Sequence, residues 1–209
     1  MTGLFNCAFK YVGQNFNGGR SVKITGDGVK QHHQNNVNLK YKKHVATVKF
    51  QGHPLNTVGE LPQAGVEAPN FALTGVDLSD ISLHDLRGKR VVLNIFPSVD
   101  TDVCAASVRR FNKEVNELPN TVVLCVSMDL PFAAGRFCAA EGLENVKTAS
   151  GFRSDFGRTY GVEIAEGPLR GLYTRALVVL DEEGKVMGTS LCEEVTEEPD
   201  YEFAKQLLK

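Results

Sequence analysis

The sequence predicts an α/β fold in which a mixed central sheet is covered by helices. Three observations carry that prediction. Val91–Phe96 and Thr121–Ser127 are nearly uninterrupted apolar runs, as strands buried on both faces require. Between and after them lie two segments with helical spacing or helical punctuation. Two further strand-like runs, Arg175–Leu180 and Lys185–Leu191, flank the short polar turn Asp181-Glu182-Glu183-Gly184, which implies an antiparallel pair.

The elements follow in order. Thr47-Val48-Lys49-Phe50 and Asn56-Thr57-Val58, separated by Gly52-His53-Pro54, predict an N-terminal β-hairpin. Val91–Phe96 ends at Pro97. After Asp100-Thr101, either of which can cap a helix, Cys104, Val108, Phe111, Val115 and Leu118 recur on one face, giving a helix of about four turns. Thr121–Ser127 is the next strand. Asp129–Gly142 reads as a helix with Pro131 in its first turn and Gly142 at its end. Pro199 introduces a last helix that turns Phe203, Leu207 and Leu208 inward and leaves Glu202 and Lys205 to solvent. A βαβ half followed by a hairpin and a terminal helix is the arrangement of a thioredoxin-like fold.

Composition divides the chain near Val45. Residues 1–44 carry seven Lys or Arg against the single acid Asp27, whereas the remainder holds 16 basic and 24 acidic residues. The first segment is rich in Asn, Gln, Gly and His without sustained apolar periodicity, so it is expected to be disordered or to be a leader foreign to the native protein. Valine shares a codon that bacteria use to start translation, so Val45 is one candidate start; a basic targeting segment is the competing reading. Mass spectrometry of the native protein separates the two. Residues 45–209 are expected to form one domain.

The formal net charge of −2 offers no basic field for nucleic acid, and no apolar run reaches the roughly 20 residues that span a bilayer. A cytoplasmic protein with no membrane or nucleic-acid partner is the expectation. Five cysteines without a C-x-x-C pair argue against a stapled secreted module and a four-cysteine zinc site. His32-His33 is the one close histidine pair and lies in the atypical front segment, so neither metal nor cofactor is expected.

Redox or catalytic thiols remain. Cys104 falls at the start of a helix after a buried strand, where unpaired N–H groups and the helix dipole favour an anion. On location alone it reads as readily as a small core residue. Thr101, three residues earlier, can bring its hydroxyl toward the sulfur and orient a substrate hydroxyl, or can serve as a simple cap. Pro97 shields a pocket or merely punctuates a strand. Cys125, inside the apolar run Val122–Val126, reads as packing, as does Cys192; Cys7 belongs to the atypical segment.

The run Asn94-Ile95-Phe96-Pro97-Ser98-Val99-Asp100-Thr101-Asp102-Val103-Cys104-Ala105-Ala106-Ser107-Val108-Arg109 resembles the peroxidatic motif of the bacterial thiol peroxidases, in the peroxiredoxin superfamily. Pro97, Thr101 and Cys104 satisfy the pattern P-x-x-x-T-x-x-C. The similarity continues through Arg136–Leu143, Tyr160–Val162 and Gly167–Leu172, from about Ala46 to the C-terminus. The resemblance implies a peroxidase in which Cys104 attacks a hydroperoxide and becomes a sulfenic acid. It further implies that Cys138, on the following helix, resolves that acid as an intramolecular disulfide, and that Arg175 stands against the peroxidatic sulfur. Thioredoxin as electron donor and a homodimer are implied likewise. Read without the resemblance, Cys138 is an inert helix residue and Arg175 a surface charge. A general disulfide oxidoreductase fits poorly, because Ser107 stands where its second cysteine belongs. A redox-responsive binding protein without sustained turnover is the alternative from a different class.

Overall fold

In the computed structural model, which describes residues 44–114 and 117–209, seven strands build one mixed sheet and the first two described strands form a separate hairpin. Except for His44, the expectation for residues 1–44 concerns positions outside the described residues, and Cys7 and His32-His33 lie there too.

The hairpin pairs β1 (Thr47–Phe50) with β2 (His53–Asn56). Its second strand begins three residues earlier than expected. Gln51 and Gly52 both have positive φ, 53° and 79°, which makes a two-residue turn whose twist suits the hairpin. Phe50 and His53 then close the ladder, so Lys49 and Pro54 form a pair that exchanges no hydrogen bonds. Proline is tolerated at such a position because no N–H is needed there.

The sheet runs in the order β4 (Asp80–Ser82), β3 (Ala72–Gly75), β7 (Lys147–Ser150), β6 (Thr121–Ser127), β5 (Arg90–Ile95), β8 (Ala176–Leu180), β9 (Val186–Leu191). β5 is parallel to β6 and antiparallel to β8, and both of its faces are covered. Val91, Leu93 and Ile95 meet Leu124, Val126, Val178 and Tyr160 on one side; Val92 and Phe96 meet Val123, Val179, Val108 and Phe111 on the other. Each such side chain contributes about 1.5–3 kcal/mol on burial, which is why a continuous apolar run is required here. β3, β4 and β7 and the one-turn helix α3 (Phe156–Thr159) were not anticipated, being three or four residues long.

Helix α1 (Asp102–Glu114) lays Cys104, Val108 and Phe111 on the sheet beside β5. Val115 lies outside the described residues, and Leu118 reaches the same cluster from beyond the helix. Helix α2 (Pro131–Glu141) starts two residues later than expected. The residue before a proline is held extended, and Leu130 is so, at φ −65° and ψ 147°. At its other end Gly142 takes the left-handed conformation, φ 63°, that closes the helix. Helix α4 (Tyr201–Leu207) is capped by Asp200, whose carboxylate accepts from the Phe203 N–H at 3.0 Å. Lys205 is not left to solvent alone: it bridges Glu114 at 3.0 Å and Glu202 at 3.3 Å, tying α4 to α1.

Candidate active site

The parallel pair β5 and β6 delivers two loops to one edge of the sheet, since Ile95 lies opposite Val126. In open α/β sheets the carboxyl ends of parallel strands are where the chain leaves a crevice. Here the β5 loop carries Pro97, Ser98 and Thr101 into α1, and the β6 loop carries Asp129 into α2.

The first intrahelical bond of α1 runs from the Ala105 N–H to the Thr101 carbonyl at 2.9 Å, which makes Cys104 a first-turn residue. Its backbone N–H therefore belongs to the group with no carbonyl four residues back, at the positive end of the helix dipole. The Cys104 side chain is 0% exposed, and its Sγ accepts a hydrogen bond from Arg175 Nη2 at 3.1 Å. Arg175 precedes β8, and the pairing of Ile95 with Ala176 sets it beside the end of β5. It is 1% exposed. Its Nε donates to the Val195 carbonyl at 3.1 Å, while Nη1 is buried without a partner. Among the described residues no carboxylate lies within 4 Å of this guanidinium to form an ion pair. A buried cation is costly without compensating partners, and its two contacts here are the Val195 carbonyl and the Cys104 sulfur.

A hollow of about 240 Å³ opens beside the pair, lined by Pro97, Thr101, Val103, Leu169, Arg175 and Val195 among others. Pro97 is buried and Thr101 exposed. The Thr101 hydroxyl does not bond the sulfur; it donates to the Ser98 carbonyl at 3.0 Å, and the Thr101 N–H donates to the same oxygen at 3.2 Å. With its proton engaged, the hydroxyl oxygen retains lone pairs to accept from an entering O–H.

Cys138 stands apart from this hollow. It is half-buried on α2 and lines another depression with Val76, Gly135, Leu143, Val146 and Thr148. Burial pushes its thiol up, and a hydrogen bond with Thr148 offsets part of that rise. Cys104 and Cys138 are both free thiols. Cys125 is 1% exposed within the apolar cluster under α1, and burial raises its thiol to about 12. Burial raises Cys192 to about 11, with Arg175 acting in the opposite direction. Thiols held that high ionise little near neutrality and are poor nucleophiles.

Sequence reasoning missed the walls of the hollow supplied from far along the chain, Phe50, Leu169 and Val195. It also missed Asp129, whose carboxylate bonds the β5 loop. A signal for Asp129 was present: it follows a buried strand by two residues, as Pro97 does its own, and neighbouring parallel strands bring such positions together.

Residues 63–205 match the Redoxin family. The chain is 52% identical over 160 residues to the thiol peroxidase of Corynebacterium glutamicum, covering 77% of this chain and 97% of that one. It is 55% identical over 160 residues to the thiol peroxidase of Mycobacterium bovis, covering 77% and 96%. Among solved structures, a peroxiredoxin-like protein from Aquifex aeolicus aligns with a TM-score of 0.74 at 38% identity, over 78% of this chain and 97% of the other. The thiol peroxidase from Chromobacterium violaceum shares the fold with a TM-score of 0.73 at 24% identity, over 78% and 94%. With a buried cysteine held by a guanidinium, a proline and a threonine bordering the hollow beside it, and these relatives, the chain belongs to the bacterial thiol peroxidases of the peroxiredoxin superfamily.

Proposed function

We propose that Cys104 is the peroxidatic nucleophile of a thioredoxin-dependent peroxidase acting on hydrogen peroxide and organic hydroperoxides. The observation that carries the proposal is the contact of 3.1 Å between Arg175 Nη2 and Cys104 Sγ, with both side chains buried. In that setting the guanidinium is placed to stabilise negative charge at the sulfur. The thiolate attacks the distal oxygen of the hydroperoxide. An S–O bond forms, the O–O bond breaks, and the electron pair leaves on the proximal oxygen, which takes a proton and departs as water or alcohol. Arg175 balances the charge as it passes from sulfur to oxygen. Thr101 accepts from the distal O–H and holds that oxygen in line, while Pro97 keeps water from the sulfur.

The Cys104 sulfenic acid then condenses with Cys138, releasing water and forming an intramolecular disulfide. Disulfide geometry needs Cα atoms within about 7 Å. Cys104 is fully buried on α1 and Cys138 half-buried on α2, and the turns around both unwind for the bond to close. A thioredoxin thiolate reopens it by exchange. Neither metal nor cofactor enters this cycle, and residues 45–209 supply the chain's own groups in it. The reducing cytoplasm, where thioredoxin operates, is the compartment it requires.

A homodimer accords with the exposed apolar residues Leu130, Phe132 and Phe152, which are 51%, 67% and 41% exposed. Leu130 and Phe132 lie at the start of α2 and Phe152 just beyond β7, and the bond from Ser150 Oγ to the Asp129 carbonyl joins the two segments. Sedimentation of Phe132→Glu against the parent tests it: the dimer reading requires the variant to dissociate. For the chemistry, one equivalent of peroxide followed by nonreducing peptide mapping is the test. The expected product is a Cys104–Cys138 disulfide, and dimedone labelling of Cys104 in Cys138→Ser. Oxidation at any other cysteine contradicts the proposal.

A further inference from the structure

We infer that Asp129 is a positioning residue for the peroxide, acting through Ser98 on the hydroxyl of Thr101. The inference rests on the roles of Cys104 and Thr101 given above and adds a residue that touches neither sulfur nor substrate.

One carboxylate gathers three donors. Asp129 Oδ1 accepts from Ser98 Oγ at 2.7 Å, and Oδ2 accepts from the Val99 N–H and from Ser127 Oγ, each at 2.8 Å. Among the described residues no Lys, Arg or His nitrogen lies within 4 Å of it, so this is no ion pair. Asp129 is partly buried, and the loop's donors take the place of water around its charge. The residue is itself anchored from below: its N–H donates to Ser127 Oγ at 3.2 Å, and its carbonyl accepts from Ser150 Oγ at the end of β7. The ends of β6 and β7 therefore fix where the carboxylate sits.

A carboxylate only accepts, so it decides which way every neighbouring proton points. Ser98 Oγ gives its proton to Asp129 and accepts from the Asp100 N–H at 3.2 Å. That holds Ser98, whose carbonyl in turn receives both the N–H and the hydroxyl of Thr101. The Thr101 proton is thereby committed inside the loop before any substrate arrives. Its oxygen meets the peroxide as an acceptor, which is what grasping a distal O–H requires. An amide at position 129 offers a proton where Ser98 now gives one, and the direction of the relay is no longer set.

The test compares two reactions of the same sulfur. Oxidation by a hydroperoxide uses Thr101, whereas alkylation by iodoacetamide, read at Cys104 by peptide mapping, makes no use of its hydroxyl. In single-turnover experiments on the full chain, Asp129→Asn is expected to slow oxidation about 10- to 100-fold while alkylation changes by less than about twofold. Ser98→Ala, which removes the relay's hydroxyl and leaves the Asp129 side chain in place, is expected to show the same separation and stands in if Asp129→Asn does not fold. Adding Asp129→Asn to Thr101→Val is expected to slow oxidation no further than Thr101→Val alone, since both act at one point. Oxidation as fast as in the parent overturns the inference. So does an equal fall in both reactions, which marks a merely structural role, or effects that multiply. A parent that alkylates readily yet oxidises slowly refutes instead the reading of the site itself.

Discussion

Replacing Arg175 by Gln removes the side chain that hydrogen-bonds the Cys104 sulfur, and the structure sets the size of the effect. The guanidinium donates at 3.1 Å from a position with 1% exposure, so water does not substitute for it. Two charges at this separation attract by about 5 kcal/mol at an effective dielectric constant of about 20, which bounds the loss from above. Removing one donor aimed at a developing negative charge costs about 10²–10³ in rate, or about 2.7–4 kcal/mol, which lies inside that bound. Arg175→Gln is therefore expected to oxidise about 10²–10³ times more slowly. A separate loss of about 1–3 kcal/mol in stability is expected from the Val195 carbonyl, which loses its buried donor. Arg175→Lys keeps a cation but not the fork that holds sulfur and carbonyl together, and it should fall between the two. The chain has no tryptophan, so the reaction is best quenched and weighed: one equivalent of hydroperoxide, a Cys138→Ser background in which no resolving thiol consumes the sulfenic acid, and intact mass against time. Thermal melting reports the stability loss separately. An Arg175→Gln rate within about threefold of the parent, in a folded protein, refutes the electrostatic reasoning.

Leu169 lines the hollow beside Thr101, and Leu169→Ala should lower kcat/KM for a bulky apolar hydroperoxide about 10-fold relative to hydrogen peroxide, as parallel assays with the two substrates would show. Glu194 holds the hairpin turn: its carboxylate accepts from the N–H groups of Gly52 and Gln51, and the Gly52 bond contributes most to bringing it from 4.5 to about 2. Because the folded value lies below the unfolded one, the stabilisation is complete above about 4.5 and is lost as pH falls toward about 2. The melting temperatures of Glu194→Gln and the parent should thus differ near neutrality and converge in acid. Gly161 has φ +69°, and a Cβ there would lie 2.3 Å from the Glu60 carbonyl oxygen. Gly161→Ala is expected to cost about 3 kcal/mol in chemical denaturation.

The strands that organise the molecule were legible because burial on both faces leaves few choices of residue. Thr121–Ser127 was located to the residue, and Val91–Phe96 to within one. Helix α1 was legible through the spacing of Cys104, Val108 and Phe111. β3, β4 and β7 were not, because three or four residues carry too little period to stand out from turns, and β7 owes its conformation to its neighbours β6 and β3. The hairpin slipped because Pro54 reads as a breaker, and only the register reveals that its missing N–H is not needed. At the site, the cysteine, threonine and proline come from one continuous stretch and could be read together. Phe50, Leu169 and Val195 reach the hollow from separate parts of the chain, and nothing local to any of them points to a peroxide. Arg175 was reached by resemblance alone, since its burial comes from strand pairing and leaves no mark in the residues beside it.

Peroxide-dependent NADPH oxidation through thioredoxin reductase and thioredoxin tests the central claim most directly, with the parent run beside Cys104→Ser and Cys138→Ser. Sustained turnover by the parent, none by Cys104→Ser, and a single oxidation followed by a stall in Cys138→Ser is the predicted result. Full turnover by Cys104→Ser would contradict it, and one equivalent consumed by the parent with several thioredoxins would reduce the protein to a redox-responsive binder.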